Sequence, residues 1–231
     1  SIMKRIIYFV LAILVCGIYA GCSESEIELY NQTSRINFYG SLHIRTLVDT
    51  DYVKKDDPYA IDSFTVKIQG DLLKENRDFC VKVSPNSDYQ KSVDVLLESK
   101  YTYTELDTVC QVFYYKIKRP AVEAGRKVYG CFLEFDLNNP LHQFDKGLVE
   151  QHQIPLNVRW ELKTDEWGCW SGYKYGSYSD EKYMFIMDVC GCVYEELEEE
   201  DYDKVKQAYK EYREAGNPPI LGEDGDEIVY E

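Results

Sequence analysis

Ile154, Leu156, Val158, Trp160 and Leu162 occupy every second position of one stretch, with polar Asn157, Arg159 and Glu161 between them. A strand sends successive side chains to opposite faces, so this spacing demands a half-buried strand and fits no helix. Period two recurs upstream in Arg35 to Tyr39, in Phe64, Val66 and Ile68, in Phe79, Val81 and Val83, and in Val93 and Val95. Phe113, Tyr115 and Ile117, and then Cys131, Leu133 and Phe135, continue it. Pro85-Asn86-Ser87-Asp88 and Asn138-Asn139-Pro140 supply turn chemistry between these segments. Short strands with no helical pattern interleaved predict a mainly β fold, an immunoglobulin-like antiparallel β-sandwich over residues 35–165. Pro155 cannot donate to a ladder, which places its strand at an edge or puts the proline near the strand's beginning.

The pattern changes over residues 166–231, which are expected to form a small α-helical C-terminal region. WGCWSGYKYGSYS (167–179) is rich in rings and glycine and reads as a loop. Ser179 is placed to cap a helix carrying Tyr183, Ile186, Met187 and Cys190 at helical spacing. A second helix is expected where Tyr202, Val205, Tyr209 and Tyr212 form one stripe, with Gly216 as left-handed cap and Pro218-Pro219 beyond it. Asp224-Gly225 between apolar pairs suggests a closing hairpin.

At the other end, Lys4 and Arg5 precede an apolar run from Ile6 to Val15, which has the length of a signal-peptide core and is short for a bilayer span. Tyr19-Ala20-Gly21-Cys22 then resembles a bacterial lipobox, so residues 1–21 are expected to be a lipoprotein signal peptide and Cys22 the lipidated residue. Fatty-acyl chains such as palmitate on one sulfur would hold the chain at a membrane surface, each buried methylene adding roughly 0.8 kcal/mol. Residues 22–34 form an acidic linker. Glu24, Glu26 and Glu28 in it resemble the signal that sends lipoproteins of Bacteroides-like bacteria to the outer face of the outer membrane.

A formal charge of −15 argues against nucleic acid as a partner, because phosphate backbones would be repelled. Cys80, Cys110, Cys131, Cys169, Cys190 and Cys192 remain after the leader and the lipidated residue; they allow many pairings, and free buried thiols are the expected state. His43, His142 and His152 are scattered, with no matched nucleophile. Phosphate loops, dinucleotide fingerprints and zinc spacings are missing from the sequence, and Glu223 to Glu227 lacks the spacing of a calcium loop, so neither cofactor nor metal is expected. Trp167, Trp170, Tyr173, Tyr175 and Tyr178 are the candidate ligand-binding residues, because flat rings stack on sugar faces without any titrating group.

The lipobox with its acidic sequel, DSFTVKIQGDLLKENRDFCVKV (62–83), FDKG (144–147) and the ring-rich stretch from Trp167 through GYKYGSYSDEKYMFI (172–186) together resemble a family of surface lipoproteins from Bacteroidales gut bacteria, built on a domain of unknown function. The resemblance covers nearly the whole mature chain. It implies a non-enzymatic binding or accessory role in a starch-utilisation-type polysaccharide uptake system, with a glycan or an outer-membrane transporter complex as partner. It carries over no catalytic residue. Two alternatives stand beside it: an adhesive module binding a protein through the acidic helix face from Glu198 to Glu214, and a glycoside hydrolase.

Overall fold

The stretch with the strictest alternation forms β11 (Gln153–Trp160), with Ile154, Leu156, Val158 and Trp160 buried on one side. The computed structural model describes residues 34–123, 128–168 and 174–228. β11 pairs antiparallel with β9 (Val128–Phe135) and parallel with β2 (His43–Leu47); β5 (Val81–Ser84) completes a four-stranded sheet in the order β2-β11-β9-β5. Facing it is a five-stranded sheet built on β3 (Tyr59–Gln69) and β8 (Cys110–Lys118). On one side β1 (Arg35–Phe38) and then β10 (Asp145–Lys146) extend it, and on the other β6 (Val95–Leu96), giving the order β10-β1-β3-β8-β6. β4 (Arg77–Phe79) and β7 (Tyr101–Tyr103) form a separate ribbon.

The fold is therefore mainly β, an immunoglobulin-like sandwich followed by helices. Both sheets are mixed, because β1 with β10 and β2 with β11 run parallel. Pro155 lies opposite Phe132 of β9, and pairing with β2 begins one residue later, at Leu156. Its missing N–H thus falls where β11 still has one neighbour, near the strand's beginning.

Between the sheets Phe38 of β1 stacks on Phe135 of β9 with centroids 4.2 Å apart, and Phe64, Phe79, Tyr101 and Phe113 pack edge and face around them. Offset and edge-on ring pairs add about 0.5–1.5 kcal/mol each beyond the area they bury.

Among the described residues there are three α-helices, and the two longer ones lie where the sequence signals place them. α1 (Asp49–Tyr52) is a single turn. α2 (Asp180–Cys190) starts at Ser179, whose hydroxyl accepts from Lys182 N at 3.1 Å, and ends at Gly191 in the left-handed region, φ +73°. α3 (Glu199–Glu214) buries Val205 and Tyr209 and half-buries Tyr202 and Tyr212. A bridge between Leu221 and Glu227 closes the hairpin around Gly225. Trp167, Tyr183, Val205 and Ile228 join the sandwich residues in one continuous core, so the described residues form a single compact unit.

Candidate functional site: the open face of the five-stranded sheet

Three of the five rings expected to bind ligand are packed inside. Trp167 is 4% exposed, its Nε1 donates to Gly176 O at 3.1 Å, and Tyr178, Tyr194, Tyr183 and Tyr175 surround it at centroid distances of 5.1–6.1 Å. Tyr175 and Tyr178 are buried as well, and burial holds both phenols above the ordinary tyrosine range. These three residues are core, which corrects the expectation that they present free faces. Trp170 and Tyr173 lie outside the described residues, as do Cys169 and the lipidation candidate Cys22. A cleft of ≈ 590 Å³ opens beside Tyr178, with Trp160 in its floor, but Glu161, Asp180, Glu181 and Glu223 ring it and Lys163 Nζ sits 5.4 Å above the tyrosine ring. Acidic side chains dominate its rim, and the Tyr178 ring it borders is itself buried.

Exposed rings are found elsewhere. Along β3 the even-numbered residues from Ala60 to Ile68 point inward, leaving Tyr59, Ile61, Ser63, Thr65, Lys67 and Gln69 on the outer face. The outer row of β8 is Cys110, Val112, Tyr114, Lys116 and Lys118, in register with Lys67, Thr65, Ser63, Ile61 and Tyr59 respectively. β1 contributes Arg35 and Asn37, and its line continues to Tyr39, whose N–H donates to Thr65 O at 2.9 Å. Leu96 of β6 stands beside Lys116.

The middle of this surface is a band of apolar and hydroxyl groups. Tyr39 is 62% exposed, Tyr114 65% and Ile61 65%, with Val112 and Leu96 also exposed. The two tyrosines flank β3, Tyr39 just past the end of β1 and Tyr114 on β8, about 10 Å apart across the sheet at two strand spacings. Among the described residues, no partner takes the hydroxyls of Tyr39, Ser63, Thr65 or Tyr114. Flat rings, short side chains and free hydroxyls on one plane suit a ligand that presents C–H faces and hydroxyl groups.

The sequence carries a trace of this site. In Gln111-Val112-Phe113-Tyr114-Tyr115 the alternation fails, because Val112 and Tyr114 are apolar where a solvated row should be polar. An apolar outer row on a strand buried on its other face marks a surface with a use.

Other polar groups in the sandwich act as ties. His43 Nε2 of β2 lies 2.9 Å from Asp62 Oδ2 of β3, and the buried Tyr115 donates to the same oxygen at 3.1 Å. Burial pushes the Asp62 carboxyl up, but the bonds from His43 and Tyr115 outweigh it and hold the group below the ordinary range. His142 accepts from Cys80 N, and burial keeps its imidazole below the usual value. Cys80, Cys110, Cys131, Cys190 and Cys192 are free thiols; burial pushes the core Cys131 up to about 12 and the half-buried Cys190 up to about 11, which suits unreactive thiols.

No protein-family model matches the chain, and no curated protein does. Among solved structures it is similar to the Calx CBD1 domain in its apo form, with a TM-score of 0.37 and 8% identity over 56% of this chain and 99% of that one. CBD12 from CALX1.2 gives a TM-score of 0.36 and 9% identity over 55% of this chain and 44% of that one. Likeness of this degree says nothing of a ligand.

Proposed function

We propose that this chain is a lipoprotein of the outer membrane, held at the cell surface by acyl chains on Cys22. It binds polysaccharide without catalysis, as an accessory component of an uptake system. The leader pattern and the family resemblance support the anchor and the setting. The binding role is carried by one observation: Tyr39 and Tyr114 stand more than 60% exposed on one open sheet face, their hydroxyls without a partner among the described residues. Stacking and hydrogen bonding do this work without a titrating group.

Two outcomes test the reading. Cys22→Ser is expected to move the protein from the membrane fraction to the soluble fraction; retention in the membrane overturns the anchor. Tyr39→Ala with Tyr114→Ala is expected to weaken retention in affinity electrophoresis on a polysaccharide panel by at least about tenfold. Because neither ring touches the core, the melting temperature should stay within about 1 °C, as for ordinary surface substitutions. Unchanged retention, or no retention of the parent protein by any polysaccharide, overturns the binding role.

A further inference from the structure

We infer that the polysaccharide taken by this face is acidic, an extended chain bearing carboxylate or sulfate groups. The inference rests on reading the face as a polysaccharide platform, and it adds the chemical class of the ligand. The outer rows of β1, β3, β8 and β6 carry Arg35, Lys67, Lys116 and Lys118 and not one Asp or Glu. In a chain with 41 acidic and 26 basic residues, an acid-free row set is a selective departure from composition. All four cations are exposed, and none forms an ion pair with another described residue. Carboxylates border the face at its two edges, Asp145 of β10 in register with Arg35 and Asp94, just before β6, whose carbonyl accepts from Lys118 N at 2.9 Å; neither forms an ion pair with those cations.

The placement of the charges matters as much as their sign. Lys116 and Lys118 sit at one end of the face, Lys67 and Arg35 at the other, with the Tyr39–Tyr114 band between them. From the Tyr59 level to the Gln69 level β3 runs about 33 Å, at roughly 3.3 Å per residue. A linear polymer lying along the strands would stack its ring faces on the tyrosines and meet cations on both sides of them. The four unpaired cations attract an anionic chain at close range, within a Debye length of roughly 8–10 Å, while the acid excess of the rest of the molecule keeps anions off its other surfaces. A second copy of the chain is a poor occupant, because two such faces brought together about a twofold axis would set cations against cations.

The probes are polygalacturonate with its fully methyl-esterified form, and dextran sulfate with dextran; each pair shares a backbone and differs in charge, and the salt series separates charge from the added methyl or sulfate bulk. Binding to polygalacturonate, to dextran sulfate or to both is expected to exceed binding to the uncharged counterpart by at least about tenfold, and which pair responds tells carboxylate from sulfate. Raising salt from about 50 to about 500 mM is expected to weaken it at least about tenfold, as for screened exposed charges. Lys67→Glu with Lys116→Glu is expected to abolish the preference, and Lys67→Gln with Lys116→Gln to reduce it, with melting temperature unchanged in both. Equal binding within each pair, or a preference that survives charge reversal, overturns the acidic class and leaves the platform standing. Binding to none of the four, and to none of the wider panel, brings down the platform reading itself. Loss of fold in the Glu variant leaves the Gln variant and the salt series to decide.

Discussion

Trp167→Ala is expected to lower the melting temperature by about 10 °C while leaving polysaccharide retention intact at temperatures where the variant is folded. The indole is 4% exposed and sits among four tyrosine rings drawn from the loop, from α2 and from the turn before α3. Truncating a buried tryptophan removes its transfer free energy and leaves a cavity, together about 3–5 kcal/mol. The carbonyl of Gly176 also loses its donor. For a unit of this size each kcal/mol moves the midpoint by about 2–4 °C. Thermal denaturation followed by circular dichroism measures the shift. A change below about 2 °C would mean that the ring is not part of the core, and loss of retention by a folded variant would return the site to the loop.

That loop shows where sequence reasoning reached its limit. Trp167, Tyr175 and Tyr178 have the right chemistry for a sugar platform, and rings on a glycine-rich stretch look the same in sequence whether they face a ligand or a neighbouring helix. What decides is the packing of α2 and the C-terminal hairpin over them, a long-range fact that local spacing does not encode. The strands were legible for the opposite reason: β11 and β9 each bury one apolar row, and period two records that directly. β2 left no such record, because two of its three inward positions, His43 and Arg45, are polar side chains that face carboxylates, Asp62 of β3 and Asp51 of α1, and Leu47 alone is apolar. Its parallel pairing with β11 was equally hidden, since alternation tells which face is buried and not which direction the neighbour runs. The proposed binding face went unread because its signal is a local failure of the pattern, at Val112 and Tyr114, and a broken alternation is easily taken for a weak strand. Tyr39 and Tyr114 are 75 positions apart, and the register of β1, β3 and β8 brings them to one surface.

The second large effect concerns how the C-terminal hairpin is fixed. Lys182 of α2 is completely buried, and its Nζ donates to Tyr175 O at 2.9 Å, to Asp226 Oδ2 at 3.2 Å and to Glu227 O at 3.3 Å. Asp226 also accepts from Ser177 N at 2.8 Å and from the Ser177 hydroxyl. One ammonium thus ties the ring-rich loop, α2 and the hairpin together. Burial lowers the lysine's proton affinity despite its acidic neighbours, while on Asp226 the bonds from Ser177 and Lys182 outweigh burial and hold the carboxyl down at about 2. Removing one member of a buried pair leaves the other uncompensated, so Asp226→Ala is expected to cost about 3 kcal/mol at pH 7, the lower end of the usual range because the carboxylate keeps 36% of its exposure. Lys182→Met should cost less, since Asp226 keeps both Ser177 bonds and its water. The cost of Asp226→Ala should depend on pH in a definite sense. A carboxyl with a depressed folded value contributes stability that is complete above the unfolded value of 3.8 and is lost as pH falls through about 2, so parent and variant should converge in acid. Toward alkaline pH the stranded lysine of the variant can shed its proton, so the gap should also narrow as pH rises from 7 toward 10.5. Urea denaturation of both proteins across this range measures the difference, and the buried tyrosines common to both cancel from it. A gap independent of pH would show that Asp226 acts through packing and its bonds to Ser177, and that the buried ammonium is not what holds the hairpin in place.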